Sequence, residues 1–244
     1  MKLYEVLAAQ YNKIFPSSRE KADFAEKFLE RGEFQRILDI GCASGEFAFQ
    51  LSSSQREITG IDLDPFMIAE AESQISSVSG STIQFKQADM LRFLSESESD
   101  RYDLISCLGN TVVYLAGQSQ LKDFLLSVKR ALKPQGAMIV QILNYSNPEI
   151  TPGFSFPSVE TEDVEFKREY VPLDDSSKLG FKTSVKDKIT GETETDLHRH
   201  FPFLSSGINE MAKNLGFAKT YIYGGYDRKE PEVSDFFHLI VLVK

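Results

Sequence analysis

ILDIGCASGEFA, residues 37–48, runs from an apolar strand through two glycines straight into a helix. Glycine lets the backbone approach a ligand closely and take turn conformations closed to larger residues. The first N–H groups of the helix that follows are unpaired within it, so such a junction is a place to meet a ligand. A pyrophosphate reader spaces three glycines as G-x-G-x-x-G. Here Gly41, Ala43 and Gly45 follow Asp39, and the place of the third glycine falls to Glu46. A glutamate at the mouth of a phosphate site repels its ligand, so the ligand expected here lacks a pyrophosphate.

Outward from this junction, short apolar strands alternate with amphipathic helices. RILDI (36–40), EITGID (57–62), IQFKQ (83–87), YDLISCL (102–108) and GAMIVQIL (136–143) read as strands. EFAFQLSSS (46–54), PFMIAEAESQIS (65–76) and QLKDFLLSVKRAL (120–132) read as helices. The last carries Leu121, Phe124, Leu125, Val128 and Leu132 on one face. This alternation predicts parallel βαβ units and a sheet covered on both faces.

The pattern changes after residue 143. Residues 144–162 are rich in Pro, Ser, Thr and Asn and read as a loop. VEFKREYVPL, KLGFKTSVKDK and ETDLHRHFPFL alternate apolar and polar residues, with DDSSK and TGE as turns, and predict an inserted antiparallel meander. SSGINEMAKNLGF reads as a helix with a serine start and Gly216 as its stop. KTYIYGGY and FFHLIVLVK read as an antiparallel pair at the sheet edge. Upstream, SREKADFAEKFLERG reads as a helix with a Ser cap and a Gly stop. The expected organisation is a helical cap (1–35), a doubly wound α/β domain with a seven-stranded, mostly parallel sheet (36–150 and 205–244), and an inserted antiparallel β lid (151–204).

The 244 residues include 27 basic and 36 acidic ones, a net charge of −9. Such a surface repels a phosphate backbone and no basic run appears, so nucleic acid is not an expected partner. MKLYEVLAAQYNKIFPSSREK has no apolar stretch of the kind a signal peptide or membrane span needs, and FFHLIVLVK is strand-sized, so no membrane partner is expected. Cys42 and Cys107 each end an apolar run and read as reduced, buried thiols of a cytoplasmic protein, although neighbouring strands would bring them within disulfide reach. A homodimer is compatible with this composition.

Asp62 closes the second strand in GIDLDP, where this topology hydrogen-bonds a ribose hydroxyl. Asp89 follows the third strand in QADM, where a carboxylate can accept from an adenine amino group. Three acids at the ends of successive strands suit a cationic nucleoside better than an anionic one.

DIGCASGE resembles the glycine-rich first motif of class I S-adenosylmethionine-dependent methyltransferases. ITGIDLDPFMIAEA resembles their acidic second-strand motif, and FKQADM their third, in order and spacing over residues 36–150. Ala43 departs from the glycine many members carry. The resemblance implies a Rossmann-like fold and S-adenosylmethionine as cofactor. It puts Asp39, Gly41, Cys42, Ala43 and Gly45 at the first motif, Asp62, Leu63 and Met67 at the second, and Ala88, Asp89 and Met90 at the third. Met67 packs on the adenine in this reading, or is simply core; Leu108 closes the adenine face or the sulfonium pocket.

YNKIFPSSREKADFAEKFLE resembles the N-terminal lid of small-molecule members, with Tyr11 either capping the site or anchoring the segment. ISCLGNTVVYL resembles the fourth-strand segment of the glycine and sarcosine N-methyltransferase group, with Tyr114 where that group often has a histidine. Asn110 then points where acceptor and methyl group meet. The Asn-Pro-Pro-Tyr signature of amide- and nucleobase-modifying relatives is absent, which favours a small-molecule amine or hydroxyl as acceptor.

Asn144 and Tyr145 follow the fifth strand, where α/β crevices open. Arg168 and Tyr170 share one strand face; if that face covers the pocket, Arg168 can hold a carboxylate bidentately. His198 and His200 also share a face, but with no third ligand beside them no metal site is expected. Methyl transfer is an in-line displacement needing chiefly proximity and a dry pocket. Tyr11, Tyr114 and His200 are the candidates if a base is needed. A non-catalytic S-adenosylmethionine-binding protein and a nicotinamide-dependent oxidoreductase remain as alternatives, the latter opposed by Glu46 and the missing glycine.

Overall fold

The computed structural model describes residues 3–16, 18–29, 33–75 and 82–244. It opens with α1 (Leu3–Ile14) and α2 (Arg19–Ala25), then β1 (Gln35–Ile40), α3 (Glu46–Gln50), β2 (Arg56–Asp62), α4 (Pro65–Gln74) and β3 (Thr82–Gln87). Next come α5 (Met90–Glu96), β4 (Tyr102–Cys107), α6 (Gln118–Ala131) and β5 (Leu132–Leu143). The meander β6 (Val159–Glu160), β7 (Val164–Val171), β8 (Leu179–Asp187) and β9 (Thr193–His200) follows, and α7 (Ser205–Asn214), β10 (Lys219–Tyr223) and β11 (Phe237–Val243) complete the order.

The seven-stranded sheet runs β10-β11-β5-β4-β1-β2-β3. β1, β2, β3, β4 and β5 pair in parallel, and β11 lies antiparallel to both β5 and β10. Successive side chains of β1 point to opposite faces. Leu38 and Ile40 join a core with α6 and α7 residues such as Phe124, Val128 and Ile208. Ile37 joins a second core with Phe24, Ala48 and Ile68 from α2, α3 and α4. This is the doubly wound arrangement expected from alternating strands and helices. The second sheet, β6-β7-β8-β9, is the expected antiparallel meander. Among the described residues no helix is long and apolar enough to cross a membrane.

Several expected spans shift. The helix over 46–54 stops at Gln50, with Leu51 as its cap, leaving the serines that follow outside it. The helix over 65–76 ends at Gln74, and Ser76 lies outside the described residues. Leu132 is extended rather than helical and begins a 12-residue β5, which starts before the expected Gly136. The upstream helix is α2 plus a 3-10 turn at Glu26–Phe28; Ser18 does cap it, accepting from the Glu20 N–H at 3.2 Å, while Gly32 lies outside the described residues. Ser205 is the first residue of α7, with Leu204 in the cap position, and its hydroxyl pairs with His238 Nδ1 at 2.8 Å. Gly216 ends that stretch with φ +78° as expected. α1 falls within the expected helical cap, and α5, which Asp89 caps, had no sequence expectation.

Candidate functional site

The loop after β1 winds through three left-handed residues, Gly41 (φ 71°), Ala43 (φ 46°) and Gly45 (φ 83°). At Gly41 a Cβ would stand 2.5 Å from Thr111 Oγ1, so both conformation and space demand glycine. Ala43 takes the same region without that freedom. Its N–H donates to Asp62 Oδ2 at 2.9 Å, and the N–H groups of Gly41 and Cys42 donate to the Ile61 carbonyl at 2.8 and 3.0 Å. Asp62 Oδ1 accepts from the Asp64 N–H at 3.0 Å. Burial pushes the Asp62 carboxyl upward, and the backbone N–H bonds from Asp64 and Ala43 pull it back. An ionised carboxylate has lone pairs to spare beyond these two bonds, so Asp62 can still accept from ribose hydroxyls.

Beneath the loop is a hollow of about 120 Å³ whose walls include Tyr11, Lys21, Asp39, Cys42, Leu108 and Thr111. Asp39 is 3 % exposed and accepts from the Ser106 hydroxyl at 2.7 Å. Burial raises it to about 6, against the pull of Ser106. Burial lowers Lys21, and the attraction of Asp39 opposes that. A carboxylate and an ammonium in one hollow match the ammonium and carboxylate of an amino-acid end. Ser44 donates to Asn12 Oδ1 at 2.6 Å and ties α1 to the loop. Lys21 and Asn12 escaped the sequence reading, because a lysine and an asparagine within helices carry no motif; their only signal was proximity to Tyr11 and the Ser18 cap. The residues present therefore fit S-adenosylmethionine, with Asp39 and Lys21 for its amino-acid end and Asp62 for its ribose.

Cross-strand partners in the meander share a face, so Arg168, Thr183 and Asp196 form one row, and Tyr170, Phe181 and His198 the next. This is the face that meets the main sheet. Asn110, left-handed at φ 68°, accepts from the Leu143 N–H at 3.0 Å through Oδ1. That bond orients the amide so that Nδ2 donates to Tyr145 at 3.0 Å and toward Tyr170 at 3.4 Å. The two phenols pair at 2.8 Å, and Tyr170 meets His200 Nδ1 at 3.3 Å. Tyr114, 48 % exposed, sets its ring edge-on to His200 at 4.6 Å. Arg168 lies over Phe15, Phe156 and Phe166 at 5.0, 4.9 and 5.5 Å. Among the described residues it has no acidic partner, and its buried Nε has no hydrogen bond; neither has the buried Thr183 hydroxyl. Burial lowers the Arg168 pKa.

The structure thus brings Asn110, Tyr114, Tyr145, Tyr170, His200 and Arg168 to the meander–sheet junction, and Tyr11 to the cofactor hollow. Four expectations need correction. Asn144 is 2 % exposed and spends its amide on the carbonyls of Glu232, Val233 and Asp235, so it locks a loop rather than meeting an acceptor. Tyr170 is fully buried with its hydroxyl already shared, so it supports the site rather than contacting substrate. His200 is driven down to about 3 by burial, so it is neutral but only a weak base near neutrality. Burial lifts the Tyr11 phenol to about 12, which removes it as a base.

The third-motif and second-motif residues divide between ligand edge and scaffold. Asp89 accepts from the Leu91 and Arg92 N–H groups through Oδ1, which makes it the cap of α5 and leaves Oδ2 for a ligand. Met90 packs on the main core. Ala88, also on that core, donates its N–H to the Asp62 carbonyl at 2.9 Å. Met67 packs with Leu7, Val164 and Phe166 between α1 and the meander, the core reading of that residue. Leu63 stands 68 % exposed beside Asp62.

A family model described as a methyltransferase domain matches residues 33–180. The chain is 26 % identical to the "Putative methyltransferase YqeM" of Bacillus subtilis (strain 168), over 94 % of this chain and 92 % of that protein. It is 27 % identical to the glycine/sarcosine N-methyltransferase of Halorhodospira halochloris, over 86 % of this chain and 75 % of that one. An S-adenosylmethionine-dependent methyltransferase structure from Clostridium acetobutylicum ATCC 824 superposes with a TM-score of 0.78 at 21 % identity, covering 99 % of each chain. The nicotinamide alternative falls with these matches: the chain belongs to the methyltransferase domain family and has the fold of S-adenosylmethionine-dependent methyltransferases.

Proposed function

We propose that the protein transfers the methyl group of S-adenosylmethionine to a small-molecule nucleophile, an amine or hydroxyl, that also carries an anionic oxygen group. The observation behind the acceptor class is Arg168, a cation with no acidic partner among the described residues and an unpaired, buried Nε. Arg168 is half-buried and meets aromatic faces instead of an acid, so its buried Nε–H is a donor that an incoming carboxylate or phosphate can satisfy.

The bound cofactor supplies a methyl already activated on a sulfonium. Asp39, Lys21 and Asp62 hold its two ends, and the face of the meander excludes water from the reacting atoms. Tyr11 and Tyr145, each raised to about 12 by burial, Tyr114, which burial and then Asp62 also push up, and His200, lowered to about 3, are poor proton acceptors near neutrality. The acceptor therefore arrives with its lone pair free, and the methylated product gives up its proton to bulk water on release. Free, buried thiols at Cys42 and Cys107 suit a reducing compartment, so we place the protein in the cytoplasm.

The test is turnover across paired acceptors, each carboxylate or phosphate beside its uncharged amide or ester. The wild type should prefer the anions, and Arg168→Gln should abolish the preference. Equal turnover of both members of each pair would refute the acceptor class. Tight cofactor binding with no turnover of any acceptor would favour a non-catalytic binding protein.

A further inference from the structure

The turn that carries Leu108 and Thr111 into the cofactor hollow is built on two consecutive left-handed residues, Gly109 (φ 65°) and Asn110 (φ 68°). Asn110 pays the steric penalty of that region without glycine's freedom, so something must hold the turn. Gln141, on β5, does so twice. Its side-chain Oε1 accepts from the Gly109 N–H at 3.0 Å, and its carbonyl accepts from the Asn110 N–H at 3.2 Å. The same Oε1 accepts from the Tyr226 hydroxyl at 3.1 Å.

Tyr226 reaches further. Its ring packs edge-on against Phe24 of α2 at 5.8 Å and tilts against Phe237 at 5.5 Å. α2 carries Lys21, a wall residue of the hollow. On the other side, Thr111 donates to the Leu108 carbonyl at 2.7 Å and abuts the backbone of Gly41. One oxygen atom thus joins the floor of the hollow to the helix that forms its opposite wall. No motif of the sequence marks it.

We propose that Gln141, braced by Tyr226, is a positioning residue for the cofactor: it sets the place of the Leu108–Thr111 turn relative to Lys21. The inference concerns cofactor binding and is independent of the acceptor class. Both side-chain bonds use Oε1 as acceptor, so Gln141→Glu keeps the brace and Gln141→Leu destroys it. Tyr226→Phe removes one donor and leaves the Gly109 bond in place.

The experiment is calorimetric titration of the full chain with S-adenosylhomocysteine and S-adenosylmethionine, beside thermal unfolding without ligand. Gln141→Leu should weaken both ligands about tenfold, Tyr226→Phe about threefold, and Gln141→Glu should bind within about twofold of wild type. A merely structural role would lower the unfolding midpoint of ligand-free Gln141→Leu and leave its affinity for both ligands unchanged. Unchanged affinity in Gln141→Leu, or a loss that Gln141→Glu fails to restore, overturns the inference. Failure of the wild type to bind either ligand would instead overturn the cofactor reading itself.

Discussion

Ala43 donates its backbone N–H to Asp62 Oδ2 at 2.9 Å, so the carboxylate we propose for the ribose also holds the glycine loop in its left-handed turn. Asp62→Ala removes both functions. Cofactor binding should weaken by about 1–3 kcal/mol, the size of a lost charge-assisted hydrogen bond. Calorimetric titration with S-adenosylmethionine checks this, and an unchanged dissociation constant would mean the ribose sits elsewhere.

Ala43 itself offers a second test. Its φ of 46° imposes a steric cost that glycine avoids, while glycine costs entropy in the unfolded chain. The balance should favour Ala43→Gly by about 0.5–1 kcal/mol of folding stability. Urea unfolding would measure it, and a destabilised variant would contradict the strain.

His200 couples stability to pH. Burial holds its folded pKa at about 3, below the ordinary 6.5, so between those values the unfolded chain takes up a proton that the folded chain refuses. Stability from this group is full above 6.5 and falls as pH drops toward 3. At pH 5 the loss should be about 2 kcal/mol relative to pH 8. Asp39 acts with the opposite sign in an overlapping window, so the comparison is wild type against His200→Gln, which share Asp39. The same pH dependence in both proteins would remove His200 as the source.

Asp39 should in turn make cofactor affinity depend on pH. With a pKa of about 6, raised by burial, it is ionised above that value and neutral below it. An ammonium is held by the carboxylate form, so affinity should fall about tenfold from pH 7.5 to pH 5. Asp39→Asn should bind weakly and show a flatter profile; a wild-type profile equally flat would put the ammonium on another group.

Much of this was legible in the sequence, and the reasons differ between parts. The strand–glycine–helix junction, Asp39 and Asp62 could be read because backbone constraints and strand ends lie close together in the chain. The meander could be read because alternation places Arg168 and Tyr170 on one face whatever lies opposite. Asn144 could not: its partners at 232–235 come from a distant loop. Lys21, Gln141 and the pairing of Ser205 with His238 were hidden for the same reason. His200 shows a further limit, since a histidine's usefulness as a base depends on burial, which the local pattern alone did not set.

β11 is the last strand in chain order, yet it sits between β5 and β10. Until residues 237–243 are available, β5 presents an open edge and β10 has no neighbour at all. A nascent chain held at the ribosome short of that point cannot close its sheet, however completely the earlier βαβ units have formed. The exposed edge of β5 is then open to pairing with another chain.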